Sequence, residues 1–216
     1  MKLRKISLQV VLTASTILII IELFTAGIIS RLGIYPLSAI CIARVIGIAS
    51  MIFILIYLGN GLKSVGLLRE NIARGFSKGF AWAAAFGLFA LLFLGILHFA
   101  GFNILTLFAS RRPQNTFHIF LLFFVGGLIS PVAEELYFRG IVYVYLRKWG
   151  VIMATLGSSI LFSMVHLLTS GVSPVQVIGG LVFAIAYEVE KNLLVPITIH
   201  VLGNMAIFTL SLLLLP

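Results

Sequence analysis

The chain has 216 residues, of which 61% are hydrophobic and only 10% are charged. A soluble domain is usually about 45–50% apolar and about 25% charged, so this composition excludes an ordinary soluble protein. The net charge of +9 is scattered between apolar runs without a Lys/Arg block, which argues against nucleic-acid binding. We therefore expect a single all-α integral membrane domain over 1–216.

A membrane-spanning helix needs about 20 mostly apolar residues. The N-terminal apolar run is too long for a signal peptide, and we expect it to be retained as the first helix. Seven spans are predicted, at about 6–29, 34–58, 78–100, 117–146, 151–168, 174–188 and 193–215. The segment 59–78 contains glycines and basic residues, and it is expected to be a loop with a short interfacial amphipathic helix.

The basic residues between these spans predict the orientation, because cytoplasmic loops are rich in Lys and Arg. With the N-terminus inside, three basic residues lie outside: Arg31, Arg111 and Arg112. Ten lie on the inner side: Lys2, Arg4, Lys5, Lys63, Arg69, Arg74, Lys78, Arg147, Lys148 and Lys191. The distribution of ten to three predicts a cytoplasmic N-terminus.

The fourth span contains two adjacent acids, Glu134 and Glu135. Glu135 and Arg139 are four residues apart, share a helical face and should form an ion pair. Glu134 is rotated by about 100° from Glu135 and has no local partner. Pro131 lacks a backbone donor and can kink the helix, which would admit water beside Glu134. A structural salt bridge explains Glu135 and Arg139, whereas Glu134 is a candidate general base.

The fifth and last spans each carry a polar pair at helical spacing: Phe162 with His166, and His200 with Asn204. A lone intramembrane histidine often serves only as a hydrogen-bonding group between helices. Together, an imidazole and a carboxamide are also good donors to a developing oxyanion. Counted from the cytoplasmic helix ends, the depths of Glu134, His166 and His200 are about 20, 22 and 11 Å, a mismatch of about two turns.

Two further features have structural interpretations. Glu22 and Arg44 lie in the first two spans and are expected to pair with each other. Gly203, next to Asn204, would let a neighbouring helix approach closely. The motifs H-E-x-x-H, G-x-S-x-G, Walker A and G-x-G-x-x-G are absent, and the chain contains no Asp, so zincin, Ser-His-Asp and nucleotide-binding chemistries are disfavoured.

Three motifs in order resemble the signatures of the CPBP family, the CAAX proteases and bacteriocin-processing enzymes, also called the Abi family. They are Glu134-Glu135-x-x-x-Arg139, Phe162-x-x-x-His166 and His200-x-x-x-Asn204. The resemblance covers about 117–210 and includes the eukaryotic Ras-converting prenyl endopeptidase. It implies a helical membrane endopeptidase, and family members often have eight spans, so the expected fold is a bundle of seven or eight helices.

By this resemblance, Glu134 with His166 would activate a water molecule, and His200 with Asn204 would stabilise the oxyanion. Three residues would have supporting roles: Glu135, Arg139 and Phe162. The family is often labelled a metalloprotease, and Glu134, His166 and His200 could hold Zn²⁺ with an open position. The same residues could act on a water without metal, which is the interpretation that we favour.

The leading hypothesis is a prokaryotic intramembrane endopeptidase that cleaves a peptide bond near the cytoplasmic interface of the membrane. Its substrate would be a prenylated CAAX-like tail, a peptide precursor or a membrane protein. One alternative is a non-catalytic bacteriocin-immunity or scaffold protein of the same fold, which should tolerate Glu134→Ala. Another is a proton-coupled carrier, which would need inverted repeats that the sequence does not display.

Overall fold

The structure is a computed structural model that describes residues 6–103, 113–169 and 174–214. Within these ranges it contains no strand, and its long helices correspond to the predicted spans. They are α1 (Leu8–Leu32), α2 (Pro36–Tyr57), α3 (Ile72–Phe99), α4 (Thr116–Trp149), α5 (Val151–Thr169), α6 (Pro174–Glu190) and α7 (Leu194–Leu214).

Five helical segments are long and apolar enough to cross a membrane: α1, α2, the run Leu62–Phe99, α4 and Leu194–Leu213 of α7. A shorter apolar segment, Val151–Leu167, forms most of α5. The predicted polytopic helical membrane bundle is therefore confirmed, whereas the exact number of crossings stays a prediction. Five basic residues used to predict the orientation lie outside the described ranges: Lys2, Arg4, Lys5, Arg111 and Arg112.

The loop between α2 and α3 differs from the predicted amphipathic helix. It forms two short 3₁₀ turns, Leu62–Val65 and Arg69–Asn71, and α3 already begins at Ile72. Gly61 and Gly66 have φ angles of 73° and 79°. These left-handed conformations suit glycine and interrupt a helix, so the loop does not form a continuous amphipathic helix.

Helix α4 is the centre of the bundle, and its winding changes along its length. The α-helical turn Ser130–Glu135 lies between two π-helical stretches, Leu122–Ile129 and Leu136–Tyr143. The chain remains helical through Pro131, which lacks the N–H needed to continue the ladder and stands where the first wide stretch ends. The helix is not broken at the proline, and both predicted carboxylates lie on the short turn between the two wide stretches.

Small residues allow α7 to pack closely against its neighbours. A Cβ atom added at Gly79 of α3 would lie 2.5 Å from the Cβ of Thr198, so only glycine permits this approach. A Cβ at Gly127 of α4 would lie 2.8 Å from the Cε of Met205. The expectation for Gly203 was wrong, because a Cβ there would meet no atom within 4 Å in the described part of the chain. The glycines that matter belong to the partner helices.

The turn between α6 and α7 is buried beneath the loop that joins α2 to α3. The hydroxyl of Tyr187 donates a hydrogen bond of 3.1 Å to the backbone carbonyl of Val65. A Cβ at Gly66 would lie 2.3 Å from the carbonyl oxygen of Lys191, and Asn192 is only 7% exposed. As a result, α7 begins inside the protein and not at the bundle surface.

Candidate active site

Helices α4, α5 and α7 bring three candidate residues to one point. The Oε2 atom of Glu134 lies 3.9 Å from Nε2 of His166 and 3.8 Å from Nε2 of His200. The depth mismatch of about two turns expected from the sequence was wrong. That estimate assumed that every helix starts at the membrane surface, whereas α7 starts at a buried turn. Two imidazoles from different helices therefore face one carboxylate.

The neighbouring carboxylate has two partners. Nη1 of Arg139 donates to Oε1 of Glu135 at 2.9 Å, and both side chains are completely buried. The same Oε1 atom lies 2.8 Å from Nδ1 of His200. The expected ion pair is thus present, but Glu135 also orients an imidazole. Because a carboxylate accepts hydrogen bonds, it favours a hydrogen on Nδ1 and leaves Nε2 pointing at Glu134.

The ion pair is anchored to α6 through a backbone carbonyl. Nη2 of Arg139 donates to the carbonyl oxygen of Gly180 at 2.9 Å, and the hydroxyl of Ser159 donates to the same oxygen at 2.9 Å. A Cβ at Gly180 would approach the ring of Phe162 to 3.3 Å, which leaves little room for a side chain. These contacts connect α4, α5 and α6 behind the carboxylates.

Two phenylalanines enclose the imidazoles. The ring of Phe162 lies 4.4 Å from that of His166, as expected from their spacing, and 5.9 Å from that of His200. Phe183 stacks on His200 with a centroid separation of 4.6 Å and an interplanar angle of 22°. The Cζ atom of Arg139 lies 4.8 Å from the centroid of Phe162. The aromatic rings exclude water from the ion pair and restrict rotation of the imidazoles.

The remaining polar groups are held by the backbone. The carbonyl of Phe162 lies 2.9 Å from Nδ1 of His166, which orients the other ring nitrogen toward Glu134. The side-chain amide of Asn204 donates to the carbonyl of Gly126 at 2.9 Å, within the first π-helical stretch of α4. A carboxamide has two N–H groups, so the second remains available for another acceptor.

Sequence reasoning did not assign roles to Ser159, Gly180 and Phe183. None of these three residues was expected to contact the site. Gly180 contributes a backbone carbonyl and Phe183 an apolar ring. Neither property distinguishes these residues from the other glycines and phenylalanines of the chain, so their contacts could not be identified from residue type.

The distances between the three candidate zinc ligands differ from those of a tetrahedral zinc site. Among the described residues, no group of three or more His, Cys, Asp or Glu side chains has the arrangement of a metal site. Two ligands of a tetrahedral zinc ion are about 3.3–3.4 Å apart, whereas Glu134 is 3.8 and 3.9 Å from the two imidazoles. The spacing of these three side chains does not fit a tetrahedral zinc ion.

Comparison with known proteins places the site in a family. Residues 116–206 match the family model described as "Type II CAAX prenyl endopeptidase Rce1-like". A curated relative, the membrane-embedded CAAX protease MroQ of Staphylococcus aureus (strain USA300), is 37% identical over 90 residues. Over this segment the chain is similar to CAAX proteases of the membrane. The resemblance predicted from the three motifs is thereby confirmed.

The CPBP segment, 116–206, extends from the first turn of α4 into α7 and contains every site residue described above. The match to MroQ covers 38% of this chain and 36% of MroQ, so the chain matches about a third of that relative's length. No solved structure matches the chain. The similarity to CAAX proteases therefore lies in the segment that carries the carboxylates and imidazoles.

Proposed function

We propose that the protein is an intramembrane endopeptidase that hydrolyses a peptide bond with a water molecule activated by Glu134 and His166. The observation that carries this proposal is the carboxylate of Glu134, which faces imidazoles from α5 and α7 at 3.9 and 3.8 Å. Unlike Glu135, Glu134 has no Arg or Lys within ion-pair distance in the described part of the chain. The match of residues 116–206 to the CAAX prenyl endopeptidase model supports peptide hydrolysis.

The chemical step follows from these positions. Glu134 accepts a proton from a water molecule as the water oxygen attacks the peptide carbonyl carbon, and His166 orients that water from the other side. The carbonyl π electrons move onto oxygen and form a tetrahedral intermediate. When the C–N bond breaks, the nitrogen receives the proton from Glu134 and leaves as an amine. The products are a carboxylic acid and an amine, and Glu134 returns to its initial state. The acid then releases its proton to the amine or to water and becomes a carboxylate.

The negative oxygen of the intermediate would be stabilised from α7. The donors for this oxygen are the second N–H of Asn204 and, when both ring nitrogens of His200 are protonated, its Nε2–H. Glu135 keeps His200 oriented through Nδ1, and Arg139 keeps Glu135 in place. Because these donors are positioned before substrate binds, little reorganisation is needed during the reaction.

The substrate would be a peptide or protein at the membrane. An apolar groove of about 300 Å³ lies between α5 and α6, and Ser159, which bonds to Gly180, forms part of its wall. The groove suits a substrate with an apolar segment, such as a prenylated CAAX-like tail, a peptide precursor or a membrane protein. MroQ is named a CAAX protease, which favours the first of these classes.

The location proposed for this reaction is the cytoplasmic side of a prokaryotic cell membrane. Seven of the described basic residues lie at one end of the bundle: Lys63, Arg69, Arg74, Lys78, Arg147, Lys148 and Lys191. Only Arg31 lies at the other end within the described ranges. Since cytoplasmic loops are rich in Lys and Arg, this distribution supports an inward basic end and a cytoplasmic N-terminus.

The test is peptide cleavage by the purified, detergent-solubilised protein, with prenylated and leader-type peptides as substrates. Glu134→Gln and His166→Ala should abolish cleavage while circular dichroism and size-exclusion behaviour stay unchanged. Glu70→Gln, which alters an exposed acid in the loop before α3, should retain full activity. A chelator should leave the cleavage rate unchanged if the water is activated without metal. Loss of cleavage with the chelator and its recovery on addition of Zn²⁺ would contradict metal-free activation.

Cleavage that persists in Glu134→Gln would refute the mechanism. If the wild-type protein produces a cellular phenotype that Glu134→Gln also produces, a non-catalytic immunity or scaffold role would replace the proposed one.

A further inference from the structure

A polar cavity, separate from the apolar groove, lies at the basic end of the bundle, between the start of α3 and the turn that joins α6 to α7. Its volume is about 170 Å³. The charged side chains in its wall are Arg74, Lys78, Lys191 and Glu190. Three cations against one carboxylate give a formal charge of +2. A drug-sized ligand usually needs about 300–1,000 Å³, so this cavity suits one small anionic group.

The charges in the cavity are not all compensated. Glu190 lies 3.9 Å from Nζ of Lys78 and accepts a hydrogen bond of 3.3 Å from the indole N–H of Trp82. Lys191 lies 2.5 Å from Glu188, outside the cavity wall. Arg74 has no hydrogen bond or ion pair within the described ranges. A guanidinium group presents several donors in one plane and is well suited to two oxygens of a phosphate.

An apolar surface continues from the cavity toward the middle of the bundle. Val189, which forms part of the cavity wall, is 61% exposed, and Ile185, one turn deeper on α6, is 45% exposed. On α3, Phe89 lies about three turns beyond Lys78 on the same side and is 63% exposed. A ligand that fills the cavity and covers this surface must combine an anionic group with an apolar chain.

We propose that this cavity binds the phosphate of an anionic phospholipid, with the acyl chains along the exposed apolar surface of α3 and α6. Trp82 supports this position, because tryptophan is enriched at the level of the headgroups. A free phosphate could also bind Arg74, but only a lipid places a phosphate there and acyl chains on the adjacent apolar surface in one molecule. The inference is independent of the proposed peptidase activity.

Lipid binding here would also stabilise the bundle. The side chain of Asn192, in the cavity wall, donates to the carbonyl of Asn71 and accepts from the backbone N–H of Leu194, both at 3.0 Å. These bonds connect the loop before α3 to the first residue of α7. A phosphate held by Arg74 of α3 and Lys191 of the turn would join the same two elements.

The experiment compares the full chain in phosphatidylcholine nanodiscs with and without phosphatidylglycerol, which has an anionic headgroup. Thermal unfolding is followed by tryptophan fluorescence, and native mass spectrometry counts the lipids that stay bound. For the wild-type chain we expect phosphatidylglycerol to raise the midpoint by roughly 5 °C and one such lipid to be retained. Arg74→Gln should lose most of both effects.

The control is Arg69→Gln, which removes an exposed cation from the loop just before α3, outside the cavity. It should keep the wild-type response. Equal losses in the two variants would indicate diffuse attraction to the membrane and overturn the proposal, as would a wild-type midpoint insensitive to phosphatidylglycerol. The same stabilisation by inorganic phosphate in phosphatidylcholine nanodiscs would overturn the lipid as the ligand. Arg74→Lys, which keeps the charge, should retain part of the response.

Discussion

The substitution Arg139→Met tests whether the buried ion pair holds the site together. Arg139 and Glu135 are both completely buried, with Nη1 and Oε1 2.9 Å apart. Methionine has a similar length but cannot compensate the carboxylate. Removing one partner of a buried pair costs about 3–5 kcal/mol, because the other charge remains without compensation. The carbonyl of Gly180 loses one donor but keeps Ser159, so we expect little additional cost from that contact.

The free energy of unfolding can be measured by SDS titration in mixed micelles, with circular dichroism as the signal. Arg147→Met is the matched control on the same helix. Arg147 contacts Glu188 at 2.8 Å but is 35% exposed, and exposed pairs contribute only about 0–1 kcal/mol. The double variant Glu135→Gln/Arg139→Met should be more stable than Arg139→Met, because it contains no buried charge without a partner. If Arg139→Met costs no more than Arg147→Met, or if the double variant recovers nothing, the reasoning is wrong.

Two further predictions concern packing and catalysis. Gly79→Ala should destabilise the protein by about 1–3 kcal/mol in the SDS titration, because the new Cβ would lie 2.5 Å from Thr198. The control Gly87→Ala, on the same helix, meets no described atom within 4 Å and should be neutral or slightly stabilising. Asn204→Ala should lower kcat by about 10²–10³-fold with a smaller effect on KM, as measured with the peptide that the wild-type protein cleaves. An equal decrease in stability for both glycine variants, or an unchanged kcat for Asn204→Ala, would contradict these predictions.

The helices and the local pairs of this protein could be predicted from the sequence because both depend on short-range spacing. Glu135 and Arg139 meet because they are four residues apart on one helix. The expected pair of Glu22 and Arg44 is also present, between two consecutive helices. In each case a charge among apolar residues needs a partner, and few partners are available.

The contacts between distant helices could not be obtained in this way. The hydrogen bond between His200 and Glu135 depends on the depth at which α7 begins, and that depth is set by a buried turn. The anchoring carbonyl of Gly180 belongs to the backbone, which every residue possesses. The wide winding of α4 is likewise invisible to a periodicity of 3.6 residues, because a π-helical turn holds more residues than an α-helical turn.

The two π-helical stretches set the direction in which the Glu134 side chain points. The N–H of Ser130 bonds to the carbonyl of Val125, five residues earlier, so each wide turn carries a surplus residue relative to an α-helix. The wide winding absorbs that residue, so Glu134 keeps nearly the direction that an α-helix one residue shorter would give it. If Leu122–Ile129 adopted ordinary α-helical winding at its present length, the surplus residue would turn Glu134 by about 100° relative to the preceding part of the helix. The side chain would then point away from both imidazoles, although every residue of the three motifs would be intact. The winding of the apolar stretch before the motif therefore decides whether a homologous sequence keeps this geometry, and a comparison of motif residues alone would overlook it.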